Sequence, residues 1–384
     1  MLKKKVLIIC SYFPPTLNGG SKRPYLFAKE LESKYDVTIL TIGKNTKSEN
    51  TPFKVEYFKF WKENLWLTFE KIFFEFFFKF GFVSATDFYL QRQATKKKLG
   101  SFDIIIGTYP EISNLLIARS FKRKNPDSKL IIDFRDGLLQ ESLRSWNFLQ
   151  RKALLKFERE ICNYSDHVIT VGENITEYFK TYTSNISTIF NSHELNSQAS
   201  NIIKKKSINL IKFIHFGSLG ASKDRNLLYF FEALKLLKLQ NDFNFIIDFI
   251  GNISSNEKKL FELFELNDVV NFKKPISREQ RESTFSNYDF ALLIGVEGQK
   301  TYISSKVFDY IEYKLPILAI CKGNEVEEII LSNKFGITCD FDANSILNAF
   351  KHSKSNKEIY YLNYNDQYSS KVQMNKLSLL CLDI

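Results

Sequence analysis

The sequence lacks the side-chain clusters that indicate a disulfide framework or a metal site. Its five cysteines are scattered over 384 residues without a CxxC pair, and its four histidines do not cluster with them. Disulfide frameworks belong mainly to small secreted domains, and zinc sites to closely spaced Cys and His pairs. We therefore expect reduced thiols in a cytosolic protein, with no metal and no cofactor.

Long apolar runs are also missing. The first one, in "KKKVLIIC", is about five residues long, which is shorter than the apolar region of a signal peptide, and no small-residue cleavage site follows it. No uninterrupted run approaches the ~20 residues that a membrane-spanning helix needs. We predict a first β-strand at residues 5–10.

The chain carries a net charge of +11 and a pI near 9.1. Such a charge favours an anionic partner, such as a phosphate, an acidic lipid or a nucleic acid, although a lysine-rich proteome would also explain it. The lysines are spread along the chain and no recognised nucleic-acid motif is present. We therefore expect no nucleic-acid partner.

Apolar strand patterns alternate with helical patterns along most of the chain, which predicts parallel sheets covered by helices on both faces. The pattern stops in a polar, basic stretch near 195–209 and then restarts. We predict two Rossmann-like α/β domains, residues 1–195 and 196–365, and a tail, 366–384, that can pack back toward the first. Ligands of such sheets bind beyond the carboxyl ends of strands, so two facing halves would enclose a crevice.

Residues 61–82 depart from this pattern. Polar residues recur every three or four positions, and the opposite face is loaded with phenylalanine, leucine and tryptophan. This predicts an amphipathic helix that lies on an anionic membrane surface, helped by the basic stretch 91–100. The alternative is a helix packed on its own domain.

Two loops of the first half carry candidate site residues. Gly19 and Gly20 lie between the first strand and the first helix, where they would allow close backbone approach to an anion, although the GxGxxG fingerprint is absent and a flexible turn is the alternative. In "DFRDG" (133–137), Asp136 is the candidate for binding sugar hydroxyls or the nucleophile, and Arg135 for ordering the loop. The alternative there is a structural Asp133–Arg135 pair, because buried charges must be paired.

The second half offers a loop suited to a diphosphate. "HFGSLGASKDRN" (215–226) follows a strand and supplies Gly217 and Ser218 for unobstructed backbone donors, and Lys223 and Arg225 for positive charge. The alternative is a solvated basic loop. Its position at the end of a strand favours ligand binding.

A second loop, "YISSKVFDY" (302–310), places hydroxyls, a cation and one carboxylate before an apolar helix. Ser304 and Ser305 can cap the helix, but a capping box does not explain Asp309. A nucleotide does: Ser304, Ser305 and Lys306 would contact phosphate, and the two oxygens of Asp309 would accept both ribose hydroxyls.

These pieces, in this order, resemble a GT-B glycosyltransferase of the family 4 (group 1) type. The resemblance spans nearly the whole chain and includes "VLIICSYFPPTLNGG", "IIDFRDG", "TIFNSHEL", "IHFGSLGASKDRN" and "SSKVFDYIEYKLPIL". It implies two facing Rossmann-like domains, a nucleotide-sugar bound mainly to the C-terminal one, retention of anomeric configuration and no need for a metal.

One departure concerns the two glutamates, separated by seven residues, that this family often carries. Asp309 matches the second, whereas the first falls on Thr301, and Glu297 lies four residues earlier. Either Glu297 takes that role or the carboxylate is absent, so we name Glu297 with Asp136 and Arg135 as catalytic candidates.

The expected function is transfer of a sugar from a nucleoside-diphosphate donor to an acceptor hydroxyl. The acceptor would be a lipid-linked or surface-polysaccharide intermediate at the inner face of the cell membrane. The alternatives are a nucleotide-sugar epimerase of the same fold, a nucleic-acid-binding protein and a non-catalytic binding module.

Overall fold

The computed structural model describes residues 3–14, 20–42, 52–58, 85–139, 146–193, 210–219, 225, 227–240, 243–354, 360 and 366–384. The chain divides into two compact units. The first comprises Met1–Asn191 and Ser370–Ile384, and the second comprises Ser192–Ser369.

The first unit contains a seven-stranded parallel sheet. Its strands are β1 (Lys5–Cys10), β2 (Asp36–Ile42), β3 (Lys54–Phe58), β4 (Ile104–Thr108), β5 (Lys129–Phe134), β6 (His167–Thr170) and β7 (Ile186–Thr188). They lie in the order β3-β2-β1-β4-β5-β6-β7, and every pair is parallel. The helices between them are α1 (Lys22–Leu31), α2 (Ala85–Thr95), α3 (Ile112–Lys124), α4 (Phe148–Tyr164) and α5 (Glu173–Lys180).

The second unit repeats this architecture with six parallel strands. They are β8 (Ile211–Phe216), β9 (Phe245–Ile250), β10 (Val270–Lys273), β11 (Phe290–Ile294), β12 (Ile317–Ile320) and β13 (Gly336–Cys339), in the order β10-β9-β8-β11-β12-β13. The helices are α6 (Leu228–Leu239), α7 (Ser255–Leu263), α8 (Arg281–Phe285), α9 (Lys306–Glu312), α10 (Glu325–Ser332) and α11 (Ala343–Ser353).

The central strands are apolar on both faces because helices cover both sides of each sheet. In β1 every residue after Lys5 is buried, and in β4 and β11 all five residues are buried. This is the pattern of parallel strands in α/β proteins. The predicted α/β class with parallel sheets is therefore confirmed, as is the predicted first strand.

The last helix, α12 (Ser370–Asp383), packs on the first unit although it follows the second in sequence. The hydroxyl of Tyr35 donates to the carbonyl of Cys381 at 3.0 Å, and Lys34 Nζ donates to Ser378 Oγ at 2.8 Å. All five cysteines of the chain, Cys381 included, are buried free thiols.

A buried ion pair connects α1 to the carboxyl end of β5. Arg23 and Asp133 are 3% and 0% exposed, and the guanidinium donates to the carboxylate through Nε and Nη2 at 2.8–3.1 Å. Its Nη1 also donates to the carbonyl of Ile189 at 2.8 Å, just after β7. One side chain thus fixes three segments of the first unit.

Replacing Arg23 by methionine should lower the free energy of unfolding of the first unit by about 3–5 kcal/mol, because Asp133 would lose its buried guanidinium. The three tryptophans, at positions 61, 66 and 146, all belong to this unit, so urea unfolding followed by tryptophan fluorescence reports on it alone. The control is Lys180→Ala, which removes the exposed Lys180–Glu177 pair and should leave the midpoint unchanged. Equal midpoints for both variants would contradict this role of Arg23.

Candidate functional site

The backbone approaches itself closely where β8 and β9 end. Gly217 follows β8 with φ of +92° and donates its N–H to the carbonyl of Ile250 at 2.8 Å. Gly251 follows β9, and a Cβ built there would lie 2.5 Å from the carbonyl carbon and oxygen of Gly217. The sequence therefore needs glycine at both positions for geometric reasons.

Lys306 is the first residue of α9, and its side chain extends over the point where Gly217 and Gly251 meet. A Cβ on Gly217 would lie 3.1 Å from Lys306 Cε. Lys306 Nζ donates to the carbonyl of Ser218 at 2.7 Å and lies 3.0 Å from Nε2 of His215. The structure thus brings together Gly217, Ser218 and Lys306, which the sequence analysis assigned to a phosphate site from separate loops.

This lysine is electrostatically unusual. Burial, followed by the positive charge of Arg225, lowers the pKa of Lys306 to about 7, while Asp309 acts in the opposite direction. An incoming anion would therefore favour protonation of Lys306 more than that of an ordinary surface lysine, because its negative charge counteracts both burial and the repulsion by Arg225.

His215 is a site residue that sequence reasoning missed. It is fully buried, and its Nδ1 lies 3.1 Å from the carbonyl of Leu292. Burial, with the nearby charges of Lys306 and Arg225, holds the pKa of His215 well below its usual range, so the ring is neutral. The available signal was a single polar residue within the otherwise apolar end of strand "IKFIHF".

Arg225 lies in the loop before α6 and is anchored at the site. Its Nη1 donates to the carbonyl of Leu219, and its Nη2 lies 3.4 Å from the hydroxyl of Tyr302. Two of the predicted loops, 215–226 and 302–310, therefore meet through Arg225 and Tyr302.

Asp309 faces a cation that the sequence analysis did not name. Arg281, on α8, lies 3.5 Å from Asp309 Oδ1 and stacks over the ring of Phe216 at 4.9 Å. Both side chains of this pair are about one-fifth exposed. Asp309 is thus held at the surface of the site by a partner 28 residues earlier in the chain.

The alternative role of the two serines, capping of α9 by their side chains, is wrong for Ser305. Ser305 precedes α9 with φ of −60° and ψ of −19°, which is helical backbone, and its side chain makes no capping hydrogen bond. A side-chain cap requires an extended conformation at that residue. Ser304 is buried and accepts from the N–H of Val307 through its carbonyl.

Glu297 lies in the turn after β11 and is exposed, beside Gly298, which has φ of +74°. It belongs to the same edge of the second sheet as the loop that begins at Tyr302. Among the described residues, no hydrogen bond or ion pair joins Glu297 to the Lys306 cluster.

In the first unit, Arg135 and Asp136 lie on a loop that is anchored at both ends. Arg135 Nη1 donates to the carbonyl of Gly20 at 3.0 Å, which ties the two predicted loops of this unit together. The buried carboxylate of Glu158 accepts from the N–H of Leu139 at 3.1 Å. Asp133 forms its ion pair with Arg23, and not with Arg135 as the structural alternative for this loop proposed.

Three predictions lie outside the described residues: Gly19, Lys223 and the helix at 61–82. Within the described part of the chain, no group of three His, Cys, Asp or Glu side chains is arranged to hold a metal ion. Nor is any described helix long and apolar enough to cross a membrane.

A pocket of about 660 Å³ lies on the β9–β10 face of the second sheet. Its charged centre is Asp248, which accepts from Asn271 at 2.8 Å and from Lys273 and Tyr288 at 2.5 Å each. Because these groups already satisfy one another, the pocket presents a weaker case for a ligand than the Lys306 cluster.

No family model matches the sequence, and no curated protein matches it either. Solved structures do match across almost the full length. Sucrose-phosphate synthase from Thermosynechococcus elongatus is 12% identical with a TM-score of 0.67, over 99% of both chains. HepE from Anabaena, in complex with UDP and glucose, is 12% identical with a TM-score of 0.66, over 99% of this chain and 100% of that one.

A putative UDP-N-acetylglucosamine 2-epimerase from Listeria monocytogenes also matches, at 10% identity and a TM-score of 0.58, over 99% of this chain and 96% of that one. At such identities the likeness shows the fold. The two α/β units have the GT-B fold, as the sequence predicted.

Replacing Gly251 by alanine should destabilise the second unit by more than about 2 kcal/mol, because the new Cβ meets the backbone of Gly217. The matched control is Gly323→Ala, since Gly323 also has positive φ but nothing within 4 Å of its Cβ position, and it should cost about 1 kcal/mol. Hydrogen exchange of peptides from β8 and β9 measures the difference. Equal protection in both variants would show that the backbones at Gly217 and Gly251 are not in close contact.

Proposed function

We propose that this protein is a glycosyltransferase that takes a sugar from a nucleoside-diphosphate donor bound to its second unit. The observation that carries the proposal is the position of the Lys306 amine. Two uncharged acceptors, His215 Nε2 and the carbonyl of Ser218, hold it beside Gly217 and Gly251, which have no side chains. A cation in this setting, next to Arg225, suits a diphosphate, which needs positive charge and room to approach the backbone.

The other described groups fit the remaining parts of such a donor. Arg225, fixed by Leu219 and Tyr302, supplies the second positive charge. Asp309 keeps two carboxylate oxygens near the surface, where they would accept the ribose hydroxyls, and Arg281 orients them. Lys223 and Gly19 keep the phosphate-binding roles proposed from the sequence.

The structural neighbours support a uridine nucleotide as the first donor to try. HepE is described in complex with UDP-glucose, and another neighbour from S. aureus, at 11% identity and a TM-score of 0.58, is described with UDP. These ligands belong to those proteins, and the fold allows the same class of ligand here.

The test is calorimetry with UDP, GDP, UDP-glucose and GDP-mannose, on the unaltered chain and on Lys306→Met. Loss of a charged phosphate contact should weaken the best ligand about 10- to 100-fold, in line with ~1.5–3 kcal/mol for a charge-assisted hydrogen bond. The matched control is Lys238→Met, which alters a partly exposed lysine of α6 that pairs with Asp268. Equal affinities for both variants would remove Lys306 from the site, and no binding of any nucleotide would overturn the proposal.

A nucleotide-sugar epimerase is the second candidate, because the Listeria neighbour shares the fold. Its TM-score is lower than those of the neighbours named as sucrose-phosphate synthase and HepE. The two activities differ in their need for an acceptor. Conversion of UDP-N-acetylglucosamine in the absence of any acceptor would favour the epimerase.

On the acceptor side we propose Asp136 as the residue that contacts the acceptor hydroxyl or the transferred sugar. Its loop is anchored by Arg135 and Glu158, as a fixed carboxylate requires. Asp136→Asn should slow transfer by ~10²–10³ without changing donor affinity. The exposed Asp127→Asn is the control and should leave both unchanged. Normal transfer by the Asp136 variant would exclude this role.

The nature of the acceptor and the site of action remain proposals from the sequence. We propose a lipid-linked or surface-glycan acceptor, transfer with retention and without a metal, and contact with an anionic membrane through residues 61–82. In the basic stretch 91–100, Lys97 is paired with Glu56 at 3.2 Å, while Lys96 and Lys98 are exposed. Sedimentation with anionic vesicles tests the membrane contact, and a chain that stays in the supernatant excludes it.

A further inference from the structure

The hydrogen bonds around His215 fix which of its two ring nitrogens carries the proton. The carbonyl of Leu292, 3.1 Å from Nδ1, can only accept, so Nδ1 must carry the hydrogen. In a neutral ring Nε2 is then a bare acceptor, and the amine 3.0 Å away on Lys306 is its donor. The same Leu292 carbonyl also accepts from the hydroxyl of Tyr310 at 3.2 Å.

The ring is packed tightly, and its Nε2 also lies 3.4 Å from the carbonyl of Ser218, which the Lys306 amine bridges by donating to both. The imidazole is fully buried, and the ring of Phe249 lies 5.3 Å from it. Ser218 contributes a second acceptor, its carbonyl, at 2.7 Å from Lys306 Nζ. Two acceptors use two of the three hydrogens of an ammonium, which leaves one for a ligand oxygen.

The charged and titratable groups that face this amine come from several elements. Among the described residues, β8 supplies His215, the loop before α6 supplies Arg225, and α9 itself supplies Asp309 and Tyr310. Arg281 of α8 is paired with Asp309. Arg225 therefore opposes a positive amine, and within the described part of the chain the attraction comes from Asp309, which also pairs with Arg281.

We propose that His215 is a positioning residue of the donor site, an uncharged acceptor that holds the Lys306 amine in place to take up a proton when a diphosphate binds. This rests on the proposed function, because it names the group that aligns the phosphate-binding cation. The imidazole can do this without adding charge, whereas a carboxylate in its place would neutralise the lysine before the ligand arrived.

The expected pH dependence of donor binding follows from the lowered pKa of Lys306. With a pKa of about 7, Lys306 in the free protein is mostly neutral at about pH 8 and protonated at about pH 6. The negative diphosphate raises that pKa, so binding takes up nearly one proton at the higher pH and almost none at the lower. Donor affinity accordingly falls as the pH rises above about 7.

Calorimetry in two buffers of different ionisation enthalpy measures the proton count directly. The ligand is UDP-glucose, or GDP-mannose if guanine is preferred, because a diphosphate esterified at both ends carries no titrating proton in this range. We expect uptake at about pH 8 that disappears at about pH 6. Tight binding with the same proton count at both pH values overturns the inference while leaving the proposed function intact, whereas no binding overturns both.

Variants separate the roles of the two side chains. Lys306→Arg should bind without proton uptake, since an arginine stays protonated. His215→Leu should weaken binding about 10- to 100-fold, whereas His215→Gln, whose amide oxygen can accept, should recover most of the loss. His352→Leu, at an exposed histidine, is the control. Proton uptake that persists in the Lys306 variant, or full affinity in His215→Leu, contradicts the inference.

Nitrogen NMR of the unaltered chain tests His215 without any substitution. With only four histidines, histidine-selective labelling gives few resonances to assign. His215 should stay neutral with its proton on Nδ1 from about pH 5 to pH 8, and Nε2 should shift when the donor binds. A ring that protonates in this range, or one that carries its proton on Nε2, overturns the assignment.

Discussion

The candidate site of the second unit depends on a lysine amine that is held by uncharged atoms. Lys306 lies directly over Gly217, where a Cβ would come within 3.1 Å of its Cε, and Gly217 can lie there because Gly251 has no side chain to meet its backbone. His215 and Ser218 accept from the amine without supplying a negative charge. This arrangement differs from a structural ion pair, in which a carboxylate supplies that charge.

The ion pair of Arg23 with Asp133 illustrates the contrast. There a buried cation meets a buried carboxylate at 2.8 Å and a backbone carbonyl as well, so both charges are satisfied within the protein. Such a pair fixes α1 against β5 and has little left for a ligand. Around Lys306, Arg225 repels a positive amine, and Asp309 is shared with Arg281. The Arg23–Asp133 pair thus stabilises the fold, whereas the charges around Lys306 are arranged as the proposed diphosphate site requires.

The sequence predicted the fold well because its strands carry strong local signals. "KVLIIC", "DVTILTI" and "FALLI" are apolar runs bounded by loops, and each is a strand at or near the predicted position. The strands β3 and β7 were missed because their local signals are weak. β3 is a half-buried edge strand, and β7 has only three residues. Of the candidate site, Gly217 and Ser218 directly follow β8, and Lys306 and Asp309 lie in the first turn of α9, and the sequence suggested all four. His215 and Arg281 were missed because their importance comes from contacts with residues 91 and 28 positions away.

The fold and the donor site together leave one chemical question, which is where the sugar goes. The proposed donor site suits the proposed transferase and the alternative epimerase alike, because both would bind a nucleotide-sugar. They differ in what meets the anomeric carbon. Glu297 is exposed in its turn, whereas Asp136 sits on a loop held by Arg135 and by the buried Glu158. A catalytic carboxylate must be held in a fixed geometry, and among these two acids only Asp136 has that support. The more constrained acid therefore lies in the first unit and the Lys306 cluster in the second, which is consistent with the proposed transfer to a second substrate.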